Sequence, residues 1–381
     1  MKFLSKEEVK NKRVVLRCDF NVPVKDGIIL DNTKIIRSLK TINYLLENNN
    51  KVIILSHFGR VKKESDYESN SLKIVYEELK KYLPISFVSD IYKFDQGVLE
   101  NKCILFENTR FTDVPEKKES VNDLDLAKYY ASFGDVFVFD AFGASHRLHS
   151  STAGIANFLP VYLGLLMEEE IEKLSILNNP SHPFVVIMGG AKVDDKIPVI
   201  ESLIEKCDHL ILTGGILNSF LKEKGLEVGK SLINTDPLVS SNIKKILAEY
   251  SSKLFFSVNF IVENNSNIKN IAEINKDDII LDNIFNNNTI IDKAKLIFMN
   301  GTCGKYEDDM YSKGTKNLLS KLASVSANVI IGGGDTTSAI KKFNDFSNYY
   351  YVSTGGGATL DYIVFNSIKV IDYYKKINKQ H

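Results

Sequence analysis

The chain has 381 residues, more than one hydrophobic core usually serves, so we expect two domains. Hydrophobic residues make up 44% and charged residues 25% of the chain, proportions that are ordinary for a globular protein in water. The 48 basic and 48 acidic side chains cancel, which argues against nucleic acid or an anionic membrane as a partner.

The cellular setting follows from what the sequence lacks. The longest apolar region, 155–167, contains Asn157 and Pro160 and is too short to cross a bilayer. The first residues become charged too soon for a secretory signal. The cysteines show no paired spacing, which predicts a reducing compartment and argues against a zinc site. We therefore expect a cytoplasmic protein. The cysteines are Cys18, Cys103, Cys207 and Cys303.

The first half of the chain alternates short β-branched runs with longer amphipathic segments. This alternation predicts a parallel sheet with helices on both faces. The expected strands are 14–17, 52–56, 103–107 and 136–139, and the expected helices include 34–46 and 72–82.

The second half repeats the scheme after a short helical segment, 168–178, which we expect to connect the domains. Residues 260–295 are polar, rich in asparagine and weakly patterned, so we expect surface excursions there and predict no particular structure. The predicted fold is α/β, with two doubly wound, Rossmann-like parallel-sheet domains (1–167 and 179–360), a connecting helix and a cleft between the domains. The expected strands of this half are 184–188, 209–213, 254–258, 296–299, 329–331 and 349–352.

Glycine-rich turns follow several strands of the second half. In parallel sheets ligands bind beyond the carboxyl ends of the strands, where glycine lets the backbone approach them closely. The first turn also carries Lys192 and Lys196 before a helix expected at Ile197, an arrangement suited to phosphate. Alone it could be an ordinary loop, but the repetition predicts a phosphate-rich ligand. The turns are GGAK at 189–192, GGIL at 214–217, Asn300-Gly301, GGGD at 332–335 and GGGA at 355–358.

Arginine is scarce and confined to the first half of the chain. Only six of the 48 basic residues are arginine, and all precede residue 150. Four of them, Arg17, Arg60, Arg110 and Arg147, lie at or just beyond expected strand ends, with His57 and His146 nearby. The ends of parallel strands share one edge, so this pattern predicts an anion pocket. The alternative is ordinary surface ion pairing.

Three features of the second half suit a polyphosphate. Asp335 follows three glycines at a strand end. A carboxylate at such a position is suited to bind Mg²⁺ or to cap the following helix. The segment 353–357 precedes a helix expected from Ala358, whose N-terminus favours a phosphoryl group. Glu307 is a candidate for ribose hydroxyls. An anion pocket in one domain and a polyphosphate site in the other predict phosphoryl transfer without a covalent enzyme intermediate.

Seven motifs carry a resemblance to a known family. They are RCDFNVP at 17–23, SHFGR at 56–60, ENTRF at 107–111, DAFGASHR at 140–147, GGAKVDDKI at 189–197, GGGDT at 332–336 and STGGGAT at 353–359. In these motifs, and across nearly its whole length, the chain resembles the phosphoglycerate kinase family. The resemblance implies reversible phosphoryl transfer between 1,3-bisphosphoglycerate and ADP, giving 3-phosphoglycerate and MgATP, by a monomer whose domains close.

The same resemblance implies roles for individual residues. Asp335 is the implied Mg²⁺ residue, and the tail, 361–381, is expected to return to the N-terminal domain. The implied phosphoglycerate-binding residues are Arg17, Asp19, Phe20, Asn21, Lys34, His57, Phe58, Gly59, Arg60, Arg110 and Arg147. The implied nucleotide-binding residues are Lys196, Gly214, Gly215, Asn300, Glu307, Gly333, Gly334, Asp335 and Thr336. The implied catalytic groups are Lys34, Lys192, Gly355 and Gly356.

The chain departs from the family pattern at several points. Lys34 stands where the family has an arginine, and Arg37, one turn on, is a candidate substitute. A Gly-Pro-Lys-Thr segment expected near Asp282 is missing, and the tail lacks a Pro-Gly pair. Two alternatives stay open: a kinase for another phosphorylated acid or sugar, and a binding or scaffold protein that has kept the fold. An assay with 3-phosphoglycerate and MgATP separates them.

Overall fold

In the computed structural model, which describes residues 1–264 and 267–377, the chain divides into two compact units. Unit 1 comprises Met1–Glu172 and the chain from Ser367 onward, and unit 2 comprises Lys173–Asn366. The boundary falls inside a helix that begins at Leu165, rather than at residue 168 as expected, and a 3-10 turn extends it to Asn178.

Unit 1 is built on a seven-stranded parallel sheet with the strand order β1-β9-β8-β2-β5-β7-β6. A small antiparallel hairpin, β3–β4, turns at Asp26 and Gly27, which both adopt positive φ. The strands are β1 (Lys2–Phe3), β2 (Arg13–Cys18), β3 (Val24–Lys25), β4 (Ile28–Ile29), β5 (Lys51–Leu55), β6 (Ser86–Val88), β7 (Cys103–Phe106), β8 (Val136–Asp140) and β9 (Val161–Leu163). The helices are α1 (Thr33–Glu47), α2 (Lys73–Leu79), α3 (Leu124–Ala131) and α4 (Leu165–Ser175).

The central strand β2 is buried on both faces. Val14 and Leu16 join an apolar cluster that includes Ile42 of α1 and Val75 of α2. Successive side chains alternate between the faces of a strand, so Arg17 projects to the opposite face. Burial on both faces explains why the strands were recognisable as continuous apolar runs.

Unit 2 contains a six-stranded parallel sheet with the order β12-β11-β10-β16-β17-β18. The predicted α/β class with two parallel sheets is confirmed. The strands are β10 (Phe184–Met188), β11 (His209–Leu212), β12 (Leu254–Phe256), β13 (Asn259–Val262), β14 (Ile268–Asn270), β15 (Ile280–Ile284), β16 (Leu296–Asn300), β17 (Asn328–Gly332) and β18 (Tyr351–Val352). The helices are α5 (Ile197–Ile204), α6 (Gly214–Glu223), α7 (Pro237–Glu249), α8 (Asn288–Lys293), α9 (Lys313–Leu322), α10 (Gly334–Phe343) and α11 (Gly357–Phe365).

The segment 260–295 is not a set of surface excursions as expected, because it contains a sheet with buried residues. The strands β14, β13 and β15 form a separate antiparallel sheet in that region. Phe260, Asp282 and Asn283 are all buried. The asparagine-rich composition concealed the strands, because buried polar residues here satisfy backbone groups instead of meeting solvent. Asp282, for example, accepts hydrogen bonds from the amides of Gly314 (2.7 Å) and Asn283 (2.9 Å).

The last helix, α12 (Lys369–Ile377), packs within unit 1. The amide of Val370 donates to Ser145 O at 3.2 Å, and the hydroxyl of Tyr374 donates to Thr152 O. The Tyr374 ring also meets the edge of Phe139 on β8. Among the described residues, no helix combines the length and the apolarity needed to cross a membrane.

Candidate functional site

Arg17 lies fully buried at the end of β2 and links several predicted site residues. Its Nε donates to Ser151 Oγ at 2.9 Å, and its Nη2 lies 3.2 Å from His57 Nδ1. A guanidinium can only donate, so this His57 nitrogen accepts and the ring carries its proton on Nε2. Burial, reinforced by the cations Arg17 and Arg110, lowers the pKa of His57 well below its ordinary value, although Asp19 opposes the shift. The imidazole is therefore neutral near pH 7 and offers an N–H donor.

Behind Arg17 lies a buried carboxylate that the sequence analysis missed. Glu119 is fully buried and accepts from the amide of Ser151 (3.1 Å) and from its hydroxyl. Burial raises the pKa of Glu119, while the Arg17 charge opposes that shift. Glu119 belongs to a run of charged residues, 116–119, that is typical of a solvated surface. No sequence signal distinguished it from its neighbours.

Asp19 and Lys34 form an ion pair at the same edge of the sheet. Lys34 Nζ lies 2.8 Å from Asp19 Oδ2, and the amide of Asn21 donates to Asp19 Oδ1 at 3.1 Å. Burial alone would raise the pKa of Asp19, but Lys34, His57 and the Asn21 amide together hold it well below its ordinary value. A Cβ added at Gly143 would stand 2.3 Å from Asp19 Oδ2. Glycine at that position therefore leaves room for the ion pair.

The segment around Phe58 is fixed by side chains from neighbouring strand ends. The amide of Gly59 donates to Asn21 Oδ1 (2.9 Å), and the amide of Phe20 donates to Ser56 Oγ (2.9 Å). Gly59 has a φ of 60°, and an added Cβ would clash with Asn70. The rings of Phe20 and Phe58 are buried. These two residues therefore anchor the loops and leave polar binding to their neighbours.

Arg147 lies within the electric field of two other arginines, Arg110 and Arg60. Arg110 donates to Asp113 Oδ2 at 3.0 Å, whereas Arg147 is exposed and donates from Nε to His146 Nε2 at 2.9 Å. Partial burial, and then the charges of Arg110 and Arg60, lower the pKa of Arg147. Cations held this close repel one another, so the arrangement favours an anion between them.

Arg37 does not join this group. Its Nη2 lies 3.5 Å from Glu169 Oε1, and its Nη1 lies 3.6 Å from Glu170 Oε1, both on α4. The hypothesis that Arg37 substitutes for the family arginine at position 34 is therefore wrong. One helical turn separates the two residues, but these contacts direct Arg37 toward α4 instead of Asp19.

In unit 2, three glycine turns pack backbone against backbone at one edge of the parallel sheet. A Cβ at Gly189 would stand 2.5 Å from Thr302 O, and one at Gly301 would stand 2.0 Å from Gly189 O. A Cβ at Gly214, where φ is 60°, would stand 2.6 Å from Gly190 N. Part of the glycine signal thus reflects contact between loops as well as access for a ligand.

A cavity of about 270 Å³ opens beside these turns. It combines a glycine-lined wall with apolar side chains, among them Ile280 and Leu281 from the antiparallel sheet, and with two acidic residues at 307 and 335. This composition is typical of small-molecule sites, in which a mostly apolar lining carries a few polar groups. The predicted site residues in the lining are Gly214, Gly215, Glu307 and Asp335.

Lys196 and Asp335 supply opposite charges to this region. Lys196 stands at the N-cap position of α5, and burial lowers its pKa to about 8, although the negative charges of Asp335 and Asp195 oppose the shift. The neighbouring charge of Lys192 adds to the lowering. Lys192 and Asp335 are both exposed. The region therefore offers two ammonium groups, together with exposed carboxylates that include Asp335.

Asn300 is a buried amide whose hydrogen-bonding capacity is unused. It ends strand β16 with no exposed surface, and neither amide atom has a partner among the described residues. Gly333, with a φ of 99°, passes so close that an added Cβ would stand 2.8 Å from Asn300 Nδ2. Thr336 fixes the adjoining turn by accepting from the Gly301 amide at 2.7 Å. Gly334 begins α10 beside this loop.

The turn at 353–357 leads into α11, which begins at Gly357, one residue before the expected start. Gly356 occupies the N-cap position with a φ of 56°. The amide of Gly355 donates to Ser353 Oγ at 3.2 Å. The N-terminus of this helix therefore presents backbone donors and the positive end of its dipole.

The residues around the cavity of unit 2 are suited to bind Mg²⁺ together with a nucleotide. Within 1–264 and 267–377, no group of three or more His, Cys, Asp or Glu side chains could hold a metal ion alone. Mg²⁺ is commonly bound by one or two carboxylates together with substrate phosphates. Asp335, which is exposed at the cavity, meets that requirement.

Arginines at the strand ends of one unit and a glycine-lined cavity with a carboxylate in the other suit a phosphotransferase that acts on a small acid and a nucleotide. A family model described as phosphoglycerate kinase matches residues 4–364. The chain belongs to the phosphoglycerate kinase family.

Individual relatives agree with this assignment along nearly the whole chain. Phosphoglycerate kinases of Listeria innocua and Mycoplasmoides gallisepticum are each 40% identical to it, covering 93% and 95% of this chain and 94% and 95% of their own. The solved phosphoglycerate kinase of Coxiella burnetii, 36% identical, superposes with a TM-score of 0.84 and covers 99% of both chains. That of Pyrococcus horikoshii, 26% identical, superposes with a TM-score of 0.86 over all of both chains.

Proposed function

We propose that this chain is an ATP-dependent phosphoglycerate kinase, which interconverts 1,3-bisphosphoglycerate plus ADP and 3-phosphoglycerate plus MgATP in glycolysis. The observation that carries the proposal in this chain is Arg147, which lies in the electric field of Arg110, Arg60 and Asp19, with Asp19 itself paired to Lys34. A substrate with one phosphate and one carboxylate matches such a pocket, because guanidinium groups bind both anions through paired N–H donors.

In unit 1, we assign phosphoglycerate binding to groups that the strand ends hold in place. Arg60, Arg110 and Arg147 bind the anionic groups, and the neutral His57 ring donates from Nε2. Asp19 and Asn21 supply polar contacts, and the buried Arg17 orients His57. Lys34 faces the group being transferred. Phe20, Phe58 and Gly59 fix the loops that carry these side chains.

In unit 2, we assign the cavity to the nucleotide. Lys196, Asn300 and Thr336 hold the phosphates together with the Gly333–Gly334 loop, Gly214 and Gly215 line the wall, and Glu307 takes ribose hydroxyls. Asp335 would hold Mg²⁺, which when bound would neutralise charge on the nucleotide phosphates. Lys192 and the amides of Gly355 and Gly356 stabilise the phosphoryl group during transfer.

In the direction of ATP consumption, a carboxylate oxygen of 3-phosphoglycerate attacks the γ-phosphorus of ATP. The new bond is an acyl-phosphate P–O bond, and the bond to the β,γ-bridging oxygen breaks, so that ADP leaves with that electron pair. No proton is transferred and no covalent enzyme intermediate is needed. The reacting atoms must meet away from water, so we propose that the units close during turnover.

A coupled assay tests this function directly. Purified protein is mixed with 3-phosphoglycerate and MgATP, and 1,3-bisphosphoglycerate is followed through glyceraldehyde-3-phosphate dehydrogenase and NADH oxidation. We expect turnover that depends on both substrates. No turnover, with both ligands bound in calorimetry, would instead identify a binding or scaffold protein. Turnover only with another phosphorylated acid or sugar would identify a different kinase.

We further propose that the enzyme is a cytosolic monomer. Its four cysteines are free and buried, which suits a reducing compartment. Small-angle scattering tests both the mass and the proposed closure: we expect a monomer whose radius of gyration falls only when 3-phosphoglycerate and nucleotide are both present.

A further inference from the structure

Two residues outside the seven motifs, Glu119 and Ser151, have no exposed surface and lie beside Arg17. Ser151 Oγ accepts from Arg17 Nε at 2.9 Å and donates to Glu119 Oε1. The Ser151 amide donates to Glu119 Oε2 at 3.1 Å, so one residue engages both carboxylate oxygens. Because Arg17 Nη2 faces His57 Nδ1, a continuous series of hydrogen bonds joins Glu119 to His57.

The carboxylate of Glu119 sets the direction of these hydrogen bonds. The neighbouring Arg17 cation favours its ionised form, which can only accept. The single hydroxyl proton of Ser151 is therefore directed to Glu119, and the hydroxyl oxygen is left as an acceptor for Arg17. Arg17 can only donate, which leaves His57 Nδ1 as an acceptor and the ring proton on Nε2.

Glu119 also supplies charge that compensates the burial of Arg17. Burial lowers the pKa of Arg17, and the charge of Glu119 opposes that shift more than the charge of Asp19 does. Asp19 is engaged elsewhere, by Lys34 at 2.8 Å and by the Asn21 amide at 3.1 Å. A buried cation without a compensating charge is strongly unfavourable, so the attraction of Glu119 holds Arg17 in place.

The guanidinium of Arg17 is held at each of its three nitrogens. Nε donates to Ser151 Oγ, Nη1 donates to Cys18 O, and Nη2 lies 3.2 Å from His57 Nδ1. Cys18 O belongs to the adjacent residue of β2, so Ser151 provides the contact that comes from another part of the chain. Without that contact the flat guanidinium could turn about the Cys18 carbonyl and away from His57.

We infer that Glu119 and Ser151 are positioning residues that act through Arg17. They hold its guanidinium against His57 Nδ1, so that the ring keeps its proton on Nε2 and offers that N–H to the anionic substrate. The identity of the substrate rests on the proposed function, whereas the tautomer of His57 does not. Both positioning residues are fully buried, so they act on the substrate through other side chains.

The unmodified protein without ligand provides the first test. Protein labelled with ¹⁵N in histidine is compared with His57→Gln, which identifies the His57 signals by their loss. Ring nitrogens with and without a proton differ widely in ¹⁵N chemical shift, so the spectrum reports the tautomer. We expect a neutral His57 ring protonated on Nε2 near pH 7. A proton on Nδ1, or equal populations of the two tautomers, would overturn the inference.

Substitutions then separate positioning from general stability. Ser151→Ala and Glu119→Gln should each give a mixture of the two His57 tautomers. Each should also raise KM for 3-phosphoglycerate about tenfold, while KM for ATP stays within about twofold. Glu116→Gln removes an exposed carboxylate three residues before Glu119 and serves as the matched control, which should change neither the tautomer nor KM.

Two results would contradict the positioning role. One is an unchanged His57 tautomer in both variants, and the other is an equal rise in both KM values, which would indicate a merely structural role. If one variant fails to fold by circular dichroism, the other decides, and the unmodified protein decides if both fail. The spectra need no turnover, so they test the inference even if the chain acts on a different substrate.

Discussion

The buried carboxylate of Asp282 makes the stability of unit 2 depend on pH, and Asp282→Asn should remove that dependence. Burial raises the pKa of Asp282 to about 7, even though the amides of Gly314 and Asn283 and the Lys313 charge favour the ionised form. In the unfolded chain an aspartate titrates near its ordinary value of about 3.9. Between these two pKa values the folded protein holds one proton more than the unfolded protein, so its stability falls as pH rises.

The size of the effect follows from linkage. Each pH unit below the folded pKa contributes about 1.4 kcal/mol, so raising the pH from about 5 to about 8 should cost the wild type about 2.7 kcal/mol through this group. The carboxamide that replaces the carboxyl group in the variant cannot titrate. Its NH₂ group meets a backbone N–H unfavourably, but that penalty is the same at every pH. The difference in stability between the two proteins should therefore shift by about 2.7 kcal/mol in favour of the variant across this range.

Urea unfolding at several pH values measures this difference. The sequence contains no tryptophan, so circular dichroism is the suitable probe, and the transition of unit 2 is the relevant one where the units unfold separately. Asp277→Asn removes an exposed carboxylate from the preceding turn and serves as the control. Parallel stability curves for wild type and Asp282→Asn would refute the reasoning, because they would mean that Asp282 is ionised throughout.

The remaining predictions concern activity in the coupled assay. Lys34→Arg should raise kcat by about two- to tenfold, because a guanidinium offers two parallel donors where the ammonium is a single point charge; an unchanged or lower kcat would count against this role. Lys192→Ala should lower kcat about a hundredfold while KM changes less than about threefold, and a pure KM effect would exclude transition-state stabilisation. Gly143→Ala should raise KM for 3-phosphoglycerate by about tenfold and leave KM for ATP unchanged, because the new Cβ would stand 2.3 Å from Asp19 Oδ2. Equal changes in both KM values would contradict it.

The parallel sheets could be predicted because their strands are buried on both faces. A strand such as Phe184–Met188 is then a continuous apolar run, and the turn after it is marked by glycine. The strands Asn259–Val262 and Ile280–Ile284 gave no such signal, because Asn283 and Asp282 are buried through hydrogen bonds to distant backbone groups. Burial of this kind depends on tertiary packing, which local composition does not encode.

The same distinction applies to the candidate site. Arginines at strand ends could be grouped from the sequence, because parallel strands bring their carboxyl ends to one edge. Glu119 could not be assigned to the site from the sequence, because only tertiary packing places it behind Arg17 and Ser151. The expectation that Arg37 assists at position 34 was wrong for a related reason. Helical spacing predicts that Arg37 lies close to Lys34, but its contacts are with Glu169 and Glu170.

The position of α12 has a consequence for the order in which the protein matures. Unit 1 needs both ends of the chain, since Val370 and Tyr374 bond to Ser145 and Thr152, next to the strand-end segment that carries Arg147. Ribosomes deliver residues from the N-terminus, so α12 is synthesised after every residue of unit 2. Unit 1 therefore cannot reach its final packing before the whole of unit 2 has been made. This differs from the usual order, in which the N-terminal domain folds first.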